Sequence, residues 1–475
     1  MQKLKVFPAA LPLVLCVMLV GAVLPAGASW KAGFAKVRIT PHGSLWMAGF
    51  AARTGPSQGT LLELHAKALA LQDESGHRAV LVTTDLLGLP LSVSQNIAQR
   101  VQQQYGLRRD QLLLNSSHTH SGPVIGTMLA VAYEGKQGMD AEQWAAVKVY
   151  TGYLEDRVVK VVGEALHHLR PATLSLGHGE ADFAINRRVK TATGYVGGVN
   201  RDGPVDHDVP ILIVRDQQGK IRGIVFGYAC HNTTIGSGFN KFSGDYAGFA
   251  QRWLENRYRG AIAMFMQGCG ADANPYPRWN KERSGVEFAR QHGEELGQAV
   301  EKATEGSLLP VSGPLKTAFK VFPVRFAGPP TGAAVEAQLK SADIYVRKHA
   351  EAMLKIIDQK GQLPATYPYS LEVWQFGSSL TMVALAGECV VDYDLRLKKE
   401  LGPDRLWVAG YSNDVFAYIP SLRILKEGGY EGGGAMIYYG QPGPFAPGIE
   451  ETIIHEVHEV IGSLRGQTEA ESKTP

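Results

Sequence analysis

One junction recurs along the chain and narrows its fold more than any other feature: a short apolar, β-branched run that stops in a polar cluster before a helical segment begins. Residues 79–84 (AVLVTT) run into Asp85, and residues 112–114 (LLL) run into Asn115-Ser116-Ser117-His118-Thr119-His120. Residues 224–229 (IVFGYA) lead to Cys230-His231-Asn232, and 261–266 (AIAMFM) to Gln267-Gly268-Cys269-Gly270-Ala271-Asp272. Residues 381–386 (TMVALA) lead to Gly387-Glu388. Runs of this kind read as strands; the full set is 79–84, 110–114, 210–214, 223–229, 261–266, 379–385 and 406–410. Helical periodicity covers 91–105, 141–168, 245–258, 282–305, 333–359, 391–401 and 449–465, while 312–332 and 361–375 read as extended excursions. Alternation of the two types predicts an α/β fold, a mixed or parallel sheet with flanking helices. Ligands of open α/β sheets bind outside the carboxyl ends of the strands. Five such ends bearing His, Asp, Asn and Glu point to one composite active site there.

The N-terminus sets an expectation about compartment. Lys3 and Lys5 precede an uncharged apolar run over 7–24, which ends in Pro25-Ala26-Gly27-Ala28. A basic start, an apolar stretch and a small-residue cleavage site form an export signal. Residues 1–28 are therefore expected to be removed and the protein exported, periplasmic or secreted. An uncleaved anchor is the alternative, since roughly 18 apolar residues can span a bilayer. No later segment approaches that length, so no span is expected after cleavage. Residues 29–466 read as one domain and 467–475 as a polar, disordered tail. With 48 Lys and Arg against 45 Asp and Glu, the net charge is +3, which gives no electrostatic case for nucleic acid. Outside the signal the cysteines are Cys230, Cys269 and Cys389. An odd number excludes a fully paired disulfide framework.

Several residues suit metal chemistry. His118 and His120 can bind one ion together if their loop turns, as Gly122-Pro123 favours; otherwise one is a ligand and the other a substrate group, or both make loop hydrogen bonds. His231 ends a buried-looking strand and reads as a ligand or as a satisfied core residue. Glu388 emerges from an apolar strand, where an unpaired charge is costly and a cation meets the need. Two His nitrogens, one carboxylate and an open position make the hydrolytic zinc pattern, in which the ion lowers the pKa of water towards about 7 and polarises a carbonyl. Residues 428–434 (GGYEGGG) lack the Lys-Ser/Thr of a phosphate loop, and no GxSxG elbow occurs. The stripe Ile449, Ile453, Val457 and Ile461 reads as core packing.

Six segments occur in a fixed order: His118 to Pro123; Ile185-Asn186-Arg187; His231 with Ser243-Gly244-Asp245-Tyr246-Ala247-Gly248; Gln267 to Pro275; Ala386-Gly387-Glu388; and Asn413 to Tyr418 followed by Tyr430-Glu431. Together they resemble the catalytic domain of the neutral/alkaline non-lysosomal ceramidases, over roughly residues 30–465. The resemblance implies a hydrolase that cleaves the amide bond of ceramide with one zinc ion (Zn2+) per chain. Carried over by motif, the ligands would be His118, His231, Glu388 and Tyr418, with Tyr411 and Tyr430 close to the last. It also implies that His120 and Arg187 line the site and bind the substrate carbonyl or the developing oxyanion, and it makes Asp245 a further catalytic candidate. Two departures stand out. Asn274, in Ala271-Asp272-Ala273-Asn274-Pro275, occupies the place of the family's serine; its amide can hydrogen-bond a substrate but is no comparable nucleophile. The family's C-terminal immunoglobulin-like domain is expected to be absent. The expected function is an exported zinc hydrolase that uses activated water on an N-acyl bond of a small-molecule or lipid substrate. An esterase or lactonase on the same site, or a non-catalytic zinc- or glycan-binding protein, are the alternatives.

Overall fold

The computed structural model describes residues 30–134 and 138–472; the expected export signal lies outside them. The largest sheet has nine strands. Its path runs Ile262–Gln267, Ile221–Tyr228, Asp208–Asp216, Arg170–Glu180, Trp30–Arg38, His65–Gln72, Arg78–Thr84 and Leu112–Ser116, with Leu309–Val311 added beside Arg170–Glu180. The pairs at its two ends are parallel and the strands between them antiparallel. The sheet is thus mixed, as expected.

The apolar runs are continuous because both faces of this sheet are covered. Ala66, Ala68, Ala70, Val80, Val82, Leu112 and Leu114 share a core with Val147, Leu154, Val158 and Val162 of the helix Ala141–His167. Their neighbours Leu69, Leu71, Ala79, Leu81 and Leu113 point the other way, as the two-residue period of a strand requires. There they meet Trp374, Met382 and Trp407 of a second sheet. That sheet is formed by Leu315–Arg325, Thr366–Phe376, Leu380–Leu385 and Leu406–Ala409. Its far face is covered by the helix Ile449–Ser472, whose Ile449, Ile453, Val457 and Ile461 are buried as one stripe. The result is a helix–sheet–sheet–helix stack. No helix among the described residues is long and apolar enough to cross a membrane.

Several expectations change. The excursions at 312–332 and 361–375 contain an unbroken antiparallel ladder from Leu315↔Phe376 to Arg325↔Thr366. Proline weakens a strand reading because it cannot donate to the ladder, and here Pro323 and Pro368 stand opposite each other. The helix expected over 333–359 is two, Gly332–Gln338 and Ile344–Lys360; the Asp343 side chain accepts from Tyr345 N to start the second. Residues 109–111 form a 3-10 turn before the strand that begins at Leu112. Gly285, at φ 89°, delays the next helix to Val286. The last helix keeps its backbone helical past residue 467, where a tail was expected.

A polar seam joins the two sheets at the ends that carry the motifs. Asn115 Nδ2 donates to Gly410 O (2.8 Å) and Ser412 Oγ (3.1 Å), and its Oδ1 accepts from Gln267 N (2.9 Å). Asn413 Oδ1 accepts from Leu114 N (3.1 Å), and its Nδ2 donates to Glu372 Oε2 (2.8 Å). Beside the seam, Glu388–Cys389 pairs in parallel with Tyr418–Ile419.

Gly33 sets how closely the helix Ala141–His167 approaches the sheet, since a Cβ there would lie 2.2 Å from Ala165 O. Gly33→Ala should destabilise the protein by about 1–3 kcal/mol, read as a lower urea midpoint at unchanged slope. An unchanged midpoint would show that the helix is free to move.

Candidate metal centre

Backbone bonds lace the strand ends into one centre. Thr119 and Asn232 form a parallel bridge, and Thr119 Oγ1 donates to Ser243 O (2.7 Å). His231 N donates to Ala273 O (3.0 Å), Arg187 N to Asp272 O (2.8 Å) and Ala271 N to Cys389 O (3.1 Å). Four non-glycine residues around the centre adopt left-handed backbone: His118 (φ 60°), Asp245 (51°), Tyr411 (51°) and Asn413 (65°). Such conformations cost of order 1–3 kcal/mol each and gather at functional sites. At His118 the turn has an evident use, because it aims the ring at the same point as His120.

That point is where the donors meet. Nε2 of His118 lies 3.2 Å from Nε2 of His231 and 3.2 Å from Nε2 of His120. Glu388 Oε2 is 3.1 Å from His118 Nε2 and 3.2 Å from His231 Nε2. Tyr418 Oη is 3.1 Å from His231 Nε2. All five side chains are buried. Ring nitrogens of the three histidines lie within 4.8 Å of one another, a group that can hold a metal ion.

The outer nitrogens decide the protonation of the inner ones. His118 Nδ1 is 2.8 Å from Leu87 O and His231 Nδ1 is 2.9 Å from Gly270 O. A carbonyl only accepts, so each Nδ1 carries the proton and each Nε2 presents a lone pair inward. Two lone pairs and a carboxylate facing one another repel unless a positive charge sits among them. Atoms bound to a tetrahedral ion at about 2.0–2.1 Å lie about 3.3 Å apart, close to the spacings found here. The donor set therefore fits a metal such as zinc, and the carbonyl partners supply the outer hydrogen bonds that orient ligating histidines.

Burial and charge set the titration. Burial raises Glu388, but His118 and His231, through the charge and hydrogen bonds they bring when protonated, outweigh it and hold the carboxyl well below its ordinary range. Burial, then the adjacent His118 and His231, keep His120 well below 6.5 and so neutral. Gly49 (φ 96°) lies against the His120 ring, where a Cβ would be 2.4 Å from Cγ. Arg187 donates from Nε to Glu431 Oε1 (2.7 Å) and from Nη2 to Tyr418 Oη (3.1 Å).

The structure thus brings His118, His120, His231, Glu388, Tyr418 and Arg187 together. Asn274 lies at the edge, buried beside Thr233 Oγ1 (3.3 Å). Asp245 is directed elsewhere: its oxygens accept from Ile235 N (2.9 Å) and Tyr246 N (2.6 Å), and burial pushes its carboxyl up to about 6. That carboxylate shapes a loop and does not reach the donor cluster. Of the alternative tyrosines, Tyr411 Oη is 3.5 Å from Glu388 Oε2, and Tyr430 packs on the ring of Tyr418. Sequence reasoning missed Tyr439, which hydrogen-bonds Glu388 Oε1, and the carbonyls of Leu87 and Gly270. Tyr439 carries no motif, and a backbone carbonyl has no side-chain signature.

A family profile described as neutral/alkaline non-lysosomal ceramidase, N-terminal, matches residues 30–278. The chain belongs to this family. Neutral ceramidase of Pseudomonas aeruginosa is 25% identical over 217 residues, covering 44% of this chain and 31% of that protein. Neutral ceramidase of Mycobacterium tuberculosis is 26% identical over 234 residues, 45% of this chain and 35% of the relative. These matches span about a third of the relatives' length. The crystal structure of the Pseudomonas aeruginosa neutral ceramidase superposes with a TM-score of 0.69 at 18% identity, over 90% of this chain and 72% of that one. The fold is therefore that of the neutral ceramidase.

Acidification should test the centre. Burial, then the charge of Arg187, lowers His231 from 6.5 to about 4. In the metal-free protein the unfolded chain takes up a proton between those values that the folded state resists. Stability is then fully present above about pH 6.5 and is lost as pH falls towards about 4. Glu388, also depressed, acts in the same direction. Melting temperatures of the metal-free protein should drop between about pH 7 and about pH 4.5, and less steeply in His231→Asn. Parallel profiles for the two proteins would contradict this assignment.

Proposed function

We propose that the chain is an exported zinc-dependent hydrolase that cleaves a linear N-acyl bond. The observation that carries this reading is the triangle of His118 Nε2, His231 Nε2 and Glu388 Oε2 at 3.1–3.2 Å, with both outer imidazole nitrogens tied to carbonyls. Tyr418 completes the donor set, and family membership supplies the reaction class. Bound there, zinc would acidify a water towards neutral pH and polarise the acyl carbonyl.

The remaining work falls to this chain's own groups. Arg187, fixed by Glu431, presents a guanidinium edge beside Tyr418 Oη and donates to the oxygen on which negative charge develops. His120, neutral, offers a hydrogen bond to water or substrate. Asn274 contributes amide hydrogen bonding where the family's serine stands, so the reaction relies on water rather than a side-chain nucleophile. Residues 1–28 are read as the export signal, which places this chemistry outside the cytoplasm.

Purified protein should carry about one zinc per chain and cleave simple N-acyl amides. Chelation, or His118→Ala, should lower activity by about a hundredfold or more, with metal content falling in the variant. Turnover of esters or lactones without amides would replace the amidase reading by the esterase one. Zinc binding with no turnover on any of the three would leave a binding protein.

A further inference from the structure

Two guanidinium groups flank the centre with no carboxylate to neutralise them. Arg53 is buried. Its Nη1 donates to Ser237 O (3.1 Å), Phe239 O (3.3 Å) and Asn240 Oδ1 (2.9 Å), and its Nη2 to His120 O (2.8 Å). All four acceptors are uncharged, and Nε has no hydrogen-bond partner among the described residues. Arg278 is half-buried, with its guanidinium 5.4 Å over the Trp279 ring. Both of its Nη atoms lie 3.3 Å from the Asn274 amide oxygen in the orientation that satisfies both ends of that amide. Neither arginine has a carboxylate among the charges that act on it. Nearby, Arg187 is matched by Glu431 and Arg188 by Glu427.

A half-buried positive charge without a counter-ion is costly. Arg187 adds to the cost, because its like charge repels Arg278. An anion arriving with the ligand would remove that penalty. The Phe50 ring packs tilted against His120 (centroids 4.7 Å apart) and edge-on to Trp279 (6.3 Å), so aromatic rings lead from the donor cluster to Arg278 and offer an apolar wall to an acyl chain.

We propose that Arg278 seats a carboxylate borne by the substrate next to the scissile amide, so that the enzyme prefers N-acyl amino acids to N-acyl amino alcohols. This rests on the hydrolase reading above. The planar fork of a guanidinium accepts a carboxylate through two parallel hydrogen bonds; the Asn274 amide oxygen takes one from each Nη of Arg278, so the incoming carboxylate is seated on the Nε edge.

N-octanoylglycine and N-octanoylethanolamine test the idea, because they share an acyl chain and differ in a carboxylate against a hydroxymethyl group. The wild-type kcat/KM should favour the glycine conjugate by about tenfold or more. Arg278→Gln should bring the ratio towards unity, and Arg278→Lys, which keeps the charge but not the fork, should retain part of it. A wild-type ratio near unity, or one unmoved by Arg278→Gln, overturns the inference while amide hydrolysis stands. If neither compound is cleaved, the amidase reading fails instead, and calorimetric binding of the same two compounds decides. Arg278→Gln must then weaken the glycine conjugate selectively, again by about tenfold; equal weakening of both, or of neither, overturns the proposal.

Discussion

Three electron-rich atoms, two imidazole nitrogens and one carboxylate oxygen, share a buried space about 3.2 Å across. Left to themselves they repel, and in a buried setting that repulsion is weakly screened. The surroundings hold them together regardless. Leu87 and Gly270 fix the ring orientations through their carbonyls, and left-handed backbone at His118 turns one ring inward. Asn115 and Asn413 lock the loops of two different sheets at the seam. A positive charge among them would relieve that repulsion, and the histidine group can hold a metal ion.

Much of this was legible in the chain because strand ends announce themselves. A run such as Leu112-Leu113-Leu114 is apolar for a physical reason, burial on both faces, and the first polar residues after it mark where the sheet meets solvent or ligand. His118, His231 and Glu388 could be picked out in that way, and the ordered motifs added Tyr418 and Arg187. The convergence of the donors was not legible, since it depends on the packing angle between two sheets and on single backbone torsions. The strands Leu315–Arg325 and Thr366–Phe376 fall within segments read as extended excursions, and each contains one proline. The local rule against proline was outweighed by a cross-strand register that sets Pro323 against Pro368. Asp245 shows the converse: its motif is conspicuous, yet its carboxylate serves Ile235 N and Tyr246 N.

Arginine pairing separates two roles within one neighbourhood. Arg187 and Arg188 share Glu431 and form a closed network, with Glu427 taking a second bond from Arg188. Such a network resists rearrangement because removing any member strands a buried charge. Arg53 and Arg278 are held by carbonyls and by an amide, which orient a guanidinium without cancelling its field. The first pair can position other groups, and the second leaves an electric potential for something that comes and goes.

The division of the donors between the sheets has a consequence of its own. The nine-stranded sheet contributes only neutral nitrogens, from His118, His120 and His231. The oxygens, Glu388 and Tyr418, come from the two-stranded pair beside the second sheet. Relative movement of the two sheets would therefore alter the formal charge of the centre more than its count of histidines. An ion held by both halves acts as a rivet across the stack, and its grip reports on sheet alignment. Substitutions along the seam, at Asn413 for instance, can then change which cation is held without touching a single ligand.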